Sequence, residues 1–268
     1  MIEEIRRYED GKIVERGSDI SFLFSNWKGK NEKIVVLGPH DDDPYIGVAL
    51  LLQELIQIGI DVEIALITDG RRGYTDLCLK NSIVKVRKKE TEQAYECIGI
   101  SKDKIKRFNL PDSDLYKHAF VWEYEEGKNN GLVALLIKYF REIGATRFLL
   151  PNENDFHLDH QATFHAGLYA AIQASEPIVQ DLGESSRRDT ILRYGVWSPF
   201  NGKPTHSIRT SEDTLQKKLE GILKYESQAL VIPGIIAELN TRGPYEYFQE
   251  FEVKSFPADE YRKEMYGG

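Results

Sequence analysis

A chain of 268 residues that is 41% hydrophobic and 29% charged has enough apolar material for a full core, and its length suits one α/β domain. Its net charge of −8, with Lys and Arg spread rather than striped, argues against a nucleic-acid binder. No apolar run of about 18 residues and no leader-like pattern follow Met1-Ile2-Glu3-Glu4, so a cytoplasmic protein without a membrane anchor is expected.

The first 32 residues are charged and predict a short extra strand or an arm. Positions 33–37 (Lys-Ile-Val-Val-Leu) read as a buried strand, followed by Gly38-Pro39-His40-Asp41-Asp42-Asp43-Pro44. A helix is expected over 43–58, where Ile46, Leu50, Leu51, Leu55 and Ile58 recur at helical spacing before Gly59. A second strand over 62–68 leads into Asp69-Gly70-Arg71-Arg72-Gly73, and a helix over 83–98 ends before Gly99. Further on, 131–143 reads as helix, 147–150 as strand and 160–174 as helix, with His157-Leu158-Asp159-His160 at the start of the last. This alternation predicts a Rossmann-like α/β fold: a mostly parallel sheet, helices on both faces, and a single domain over 1–268. Both histidine clusters then lie just past the carboxyl ends of strands, where open parallel sheets bind ligands. The segment 244–268 is rich in aromatics, with a strand expected near 247–253. Its rings either pack on the domain or another subunit, or stack on sugar.

The two clusters carry the chemistry. A catalytic zinc site uses about three protein ligands and keeps one position open for water. His40, Asp43 and His160 could supply that set, with Asp42 as general base and His157, held by a neighbouring acid, as oxyanion stabiliser. Competing readings are plain: Asp43-Pro44 suits a helix N-cap, Arg87 a solvated helix face, Asp69-Gly70 a turn and Asp112 a loop. His165 is expected to pack, and His118 and His206 to be structural or exposed. Cys78 and Cys97 form no CxxC pair, which fits a reducing compartment and argues against a thiolate site. The chain lacks GxxxxGK[ST], GxSxG and HExxH motifs and a GxGxxG after its first buried strand, which removes support for nucleotide, dinucleotide, serine-hydrolase and common metalloprotease chemistry.

In order along the chain, Pro39-His40-Asp41-Asp42-Asp43, Thr68-Asp69-Gly70, Arg87-x-x-Glu90-x-x-x-Ala94 with Gly99, Leu110-Pro111-Asp112, His157-Leu158-Asp159-His160 and Ser227-Gln228 resemble the PIG-L/LmbE family of zinc-dependent de-N-acetylases. The resemblance covers most of the first 230 residues. It implies that His40, Asp43 and His160 hold zinc or another divalent metal, and that Asp42 is the base. It also implies that His157 stabilises the oxyanion, that Asp159 is a partner for a histidine, and that Arg87 and Asp112 contact sugar hydroxyls. The reaction implied is removal of an N-acetyl group from an N-acetylglucosamine-type conjugate, a small-molecule amino sugar; relatives often form homo-oligomers. An amidase acting on a larger glycoconjugate and a non-catalytic sugar-binding protein are the alternatives. Two positions depart from the family: Asp41 stands where proline is usual and Pro44 where glutamate is usual, so three consecutive aspartates leave the register open. Substrate choice falls to the loops at 71–82 and 112–130, which include Tyr74, Tyr116, Trp122 and Tyr124.

Overall fold

The computed structural model describes residues 1–122 and 131–253, together with 263 and 265. Two strands, β1 (Ile2–Glu9) and β2 (Lys12–Gly17), open the chain. β3 (Lys33–Gly38), α1 (Asp43–Gln57), β4 (Asp61–Thr68), α2 (Ile83–Glu96) and β5 (Ile105–Leu110) then alternate. The short α3 (Tyr116–Ala119) precedes α4 (Leu132–Ile143), β6 (Arg147–Pro151), α5 (Leu158–Ser175) and β7 (Thr190–Tyr194). β8 (His206–Thr210), α6 (Glu212–Ile222), α7 (Ile232–Arg242) and β9 (Tyr245–Glu250) follow.

The described strands form one sheet in the order β2-β1-β8-β9-β7-β6-β3-β4-β5. The five strands from β7 to β5 are parallel, as the strand–helix alternation predicts. The other four extend the sheet by antiparallel pairing. β9 lies inside the sheet between β7 and β8; the tail beyond it, apart from 263 and 265, falls outside the described residues.

Burial of both faces explains why β3 reads as an unbroken apolar run. Ile34 and Val36 join the core on one face with Leu51 and Leu55 of α1, while Val35 and Leu37 join the core on the other with Leu136 and Phe140 of α4. Each such side chain contributes about 1.5–3 kcal/mol by leaving water. Ahead of β3, the segment that carries Glu32 is anchored by Arg147, a fully buried cation on β6 that bonds Glu32 (3.0 Å) and the Ser25 carbonyl (2.9 Å).

Strand order decides where the site falls. From β3 the chain moves outward to β4 and β5, whereas β6 and β7 lie on its other side. Neighbours β3 and β6, with Ile34 opposite Arg147, therefore flank the point where the winding reverses, and a crevice opens beyond their carboxyl ends. The two histidine clusters leave those two strands.

Candidate active site

Past β3, the Pro39 carbonyl accepts from the N–H (3.1 Å) and hydroxyl (2.8 Å) of Thr68, which pins the turn to β4. The three aspartates that follow have three different environments. Asp41 is buried, accepts from the Thr91 hydroxyl (2.9 Å), pairs with Arg107, and lies 3.3 Å from Arg87 Nε. Gly70 faces it in the left-handed region (φ +65°), where a Cβ would sit 2.7 Å from Asp41 Oδ2, so only glycine allows this approach. Asp42 occupies the cap position of α1, yet its side chain makes no cap bond and accepts from Arg87 Nη2 (2.7 Å). Asp43 Oδ2 accepts from the His40 N–H (2.9 Å) and lies 2.9 Å from His40 Nδ1 and 3.1 Å from His160 Nε2. Helix capping therefore does not account for these side chains.

The second cluster builds the other wall. His157 is the N-cap of α5, its Nδ1 accepting from the Asp159 N–H (3.2 Å). That bond fixes the tautomer: in the neutral ring the proton sits on Nε2. The backbone thus holds His157 where an acid was expected to. Asp159 Oδ2 accepts from the Ser113 N–H (2.7 Å) and lies 3.3 Å from His40 Nε2, with Asp112 Oδ1 at 3.5 Å from the same nitrogen. Asp155 backs His160, its Oδ2 lying 3.2 Å from Nδ1.

Several carboxylates thus surround two imidazoles and call for positive charge. Although burial opposes it, the carboxylates of Asp43, Asp112 and Asp159 hold His40 well above its ordinary pKa. His160 is likewise pushed up to about 9 against burial, by Asp43 and Asp155. The same histidines hold Asp43 well below the usual carboxylate range despite its burial. His157 moves the other way, lowered by burial and by the charges of His40 and His160, and so stays neutral.

This donor set fits a divalent metal. His40 and His160 converge on one carboxylate oxygen of Asp43, both rings are backed by further carboxylates, as metal-bound imidazoles commonly are, and ring nitrogens of His40, His157 and His160 come within 4.8 Å of one another. Neither nitrogen of buried His160 makes an aligned hydrogen bond despite its nearby carboxylates, so the ring's polar atoms are orphaned where a metal would satisfy one of them.

A cleft of about 360 Å³ opens over the cluster, lined by Asp42, Arg87, Asp112 and His157 and walled by Phe156 and Trp197. Arg87, which its charged helix made look solvated, is buried and spans Asp41 and Asp42. Asp69 organises the loop, bonding Arg71 Nε (2.6 Å). Ser227 and Gln228 tie a later turn to the site through Glu90 (2.7 Å) and the Gly73 carbonyl (2.6 Å). Of the remaining histidines, His165 is exposed rather than packed, His118 is half-buried on α3, and His206 is buried in β8. Sequence reasoning missed Asp155, Arg107 and Trp197. Only Asp155, two residues before His157, carried a local signal; the others arrive from distant loops and strands.

Fold and site together define an α/β protein with a metal-ready histidine–carboxylate centre at the switch point of its sheet. Residues 35–171 match the PIG-L family, described as GlcNAc-PI de-N-acetylase, and the chain belongs to that family. It is 27% identical over 203 residues to a diacetylchitobiose deacetylase of Thermococcus kodakarensis, covering 74% of this chain and 70% of the relative. Its fold resembles that of the N,N'-diacetylchitobiose deacetylase of Pyrococcus horikoshii (TM-score 0.67, 21% identity, 85% of this chain and 88% of the other). It also resembles a 4-carboxy-2-hydroxymuconate hydratase from Pseudomonas putida (TM-score 0.65, 14% identity, 84% and 98%), so the fold by itself does not choose the reaction.

Proposed function

We propose that this protein is a metal-dependent hydrolase that removes the N-acetyl group from an N-acetylglucosamine-type sugar conjugate. The observation that carries the reading is the meeting of His40 and His160 on Asp43 Oδ2, with carboxylates behind both rings, at the floor of an open cleft. His40, Asp43 and His160 would hold the ion. When bound, a divalent ion supplies Lewis-acid polarisation of the acyl oxygen and eases deprotonation of water.

The chain's own groups do the rest. Asp42 lines the cleft beside the ligand set and, held by Arg87, takes a proton from the attacking water as its oxygen bonds to the acyl carbon. The His157 Nε2–H donates to the oxygen that becomes negative, a role a neutral donor fills without adding charge to a crowded site. As the C–N bond breaks, Asp42 returns its proton to the departing amine, leaving acetate and the free amino sugar. Asp112 and Arg87 line the cleft where sugar hydroxyls would lie, and Asp159 steadies His40. Family membership and the acetylated amino sugars named for the relatives support this substrate class.

The test is acetate release from a panel of N-acetylglucosamine conjugates with zinc-supplemented and chelated protein. Release that chelation abolishes and zinc restores is the expected result. Chelation-insensitive release would sink the metal role, and no release from any conjugate would sink the reaction.

A further inference from the structure

Beside Asp42 lies more buried charge than a turn requires. Resting on the hydrolase reading above, we propose that Asp41, backed by Arg107, is a positioning residue that sets the base Asp42 through Arg87.

The Asp41 carboxylate is not needed to shape its own turn. The Asp41 carbonyl already accepts from the buried Tyr225 hydroxyl (3.0 Å), and the Pro39 carbonyl is held by Thr68. The side chain instead reaches α2 and β5, where it meets Thr91, Arg87 and Arg107. Proline, usual at this position in the family, would offer neither guanidinium a carboxylate, so the link belongs to this chain.

Charge accounts for the arrangement. Arg107, Asp41, Arg87 and Asp42 follow one another as alternating cations and anions, their side chains no more than 14% exposed. Without Asp41, Arg107 would be left facing no anion here and Arg87 would lean on Asp42 alone, and a largely buried charge that loses its partner is costly. Asp41 Oδ2, Arg87 Nε and Arg107 Nη2 make no aligned hydrogen bond. The link is therefore carried by charge, which an amide of the same shape does not reproduce.

Geometry passes the constraint on to Asp42. An arginine side chain is long and rich in rotamers, and the bond from Nη2 to Asp42 (2.7 Å) fixes only one corner of the guanidinium. Asp41 Oδ2, 3.3 Å from Nε, fixes the other edge. Two glycines wall it in: a Cβ at Gly70 would lie 3.5 Å from Nε, and one at Gly73 2.5 Å from Nη1. The guanidinium thus has one seat, and the Asp42 oxygen it holds has one direction. A base acts only within reach of the proton it takes, and a displacement of about 1 Å costs on the order of 10² in rate.

The experiment compares zinc-supplemented wild type with Asp41→Asn and with Asp41→Asn/Arg107→Gln, which restores the balance of charge and carries the test if the single variant does not fold. On an N-acetylglucosamine conjugate that wild type hydrolyses, the expected result is a kcat lower by about 10–100-fold. KM should change little and zinc affinity, read by calorimetry, not at all, the pattern of an interaction that matters only as the reaction proceeds. In an Arg87→Met background the same double change should cost nothing further, because Asp41 acts through Arg87. Independently of turnover, the Arg87 Nε–H signal in NMR, assigned by its loss in Arg87→Lys, should exchange with water faster in the double variant than in wild type. An unchanged kcat, a raised KM with kcat kept, or zinc affinity that falls along with kcat each overturn the inference and leave the reaction standing. An undiminished loss in the Arg87→Met background, or Nε–H exchange at the wild-type rate, does the same. Hydrolysis of no conjugate by wild type overturns the reaction and the positioning role with it.

Discussion

Three adjacent aspartates meet three different sets of partners because the turn after β3 points each one in a different direction. Asp41 faces two arginines, Asp42 faces the cleft and Arg87, and Asp43 faces two histidines. Removing charge at each should therefore fail in its own way. Asp42→Asn is expected to keep its metal and lose about 10²–10⁴ in kcat, the usual worth of a general base. Asp43→Asn should lose the metal itself, as a zinc titration by calorimetry would read directly. Equal loss of metal in both variants would mean that the roles are shared or shifted by one residue. Behind the ligands, Asp155→Ala should weaken metal binding about 10–100-fold without touching substrate, because it leaves the His160 ring without its orienting carboxylate.

At the scale of elements, α1 is held in place by an ion pair plugged into its backbone. Buried Lys218 on α6 donates to the Ile46 carbonyl (2.6 Å) and to Glu246 (2.8 Å) on β9. Glu246 in turn accepts from the N–H groups of Leu50 (2.8 Å) and Leu51 (3.0 Å). Burial pulls the Lys218 pKa down while Glu246 opposes it, so the pair holds only as a unit. Lys218→Met is expected to cost about 3–5 kcal/mol in urea unfolding, since it strands a buried carboxylate. A loss below about 1 kcal/mol would show that the N–H groups of Leu50 and Leu51 hold Glu246 without the lysine. Because α1 starts at the aspartate turn, the same variant tests whether the helix's seating sets the site. The parallel strands and their helices were legible because period and composition are local signals: Ile34 to Leu37 is buried on both faces, and the helix spacing from Ile46 to Leu55 is unbroken. The Lys218–Glu246 link was not, since nothing in a sequence announces which buried lysine meets which glutamate 28 positions away.

For the molecule as a whole, the meeting of the two histidine clusters was legible in their motifs, and the groups that support them were opaque. His40, Asp43 and His160 stand in short motifs at strand ends, whereas Arg107 and Trp197 reach the site through strand order and loop closure, which are non-local. In the antiparallel half, strands near both ends of the chain were expected and β1, β2 and β9 lie there, but which strands they pair with was not legible, for the same reason; that half contains a pH-sensitive position. His206 on β8 is buried opposite Arg7 of β1 and Phe248 of β9, and burial, with Arg7 adding to it, lowers its pKa to about 4. An unfolded chain holds this histidine near the ordinary value of about 6.5, so below that pH the unfolded state binds the proton first. The stability His206 contributes is thus complete above about pH 6.5 and drains away as pH falls toward 4, by up to about 3 kcal/mol. His206→Gln removes the titration and should flatten the loss of stability between pH 7 and pH 4.5 relative to wild type, measured by urea unfolding at each pH. Parallel slopes for the two proteins would place the acid sensitivity elsewhere and show that β8 opens to water before its histidine charges.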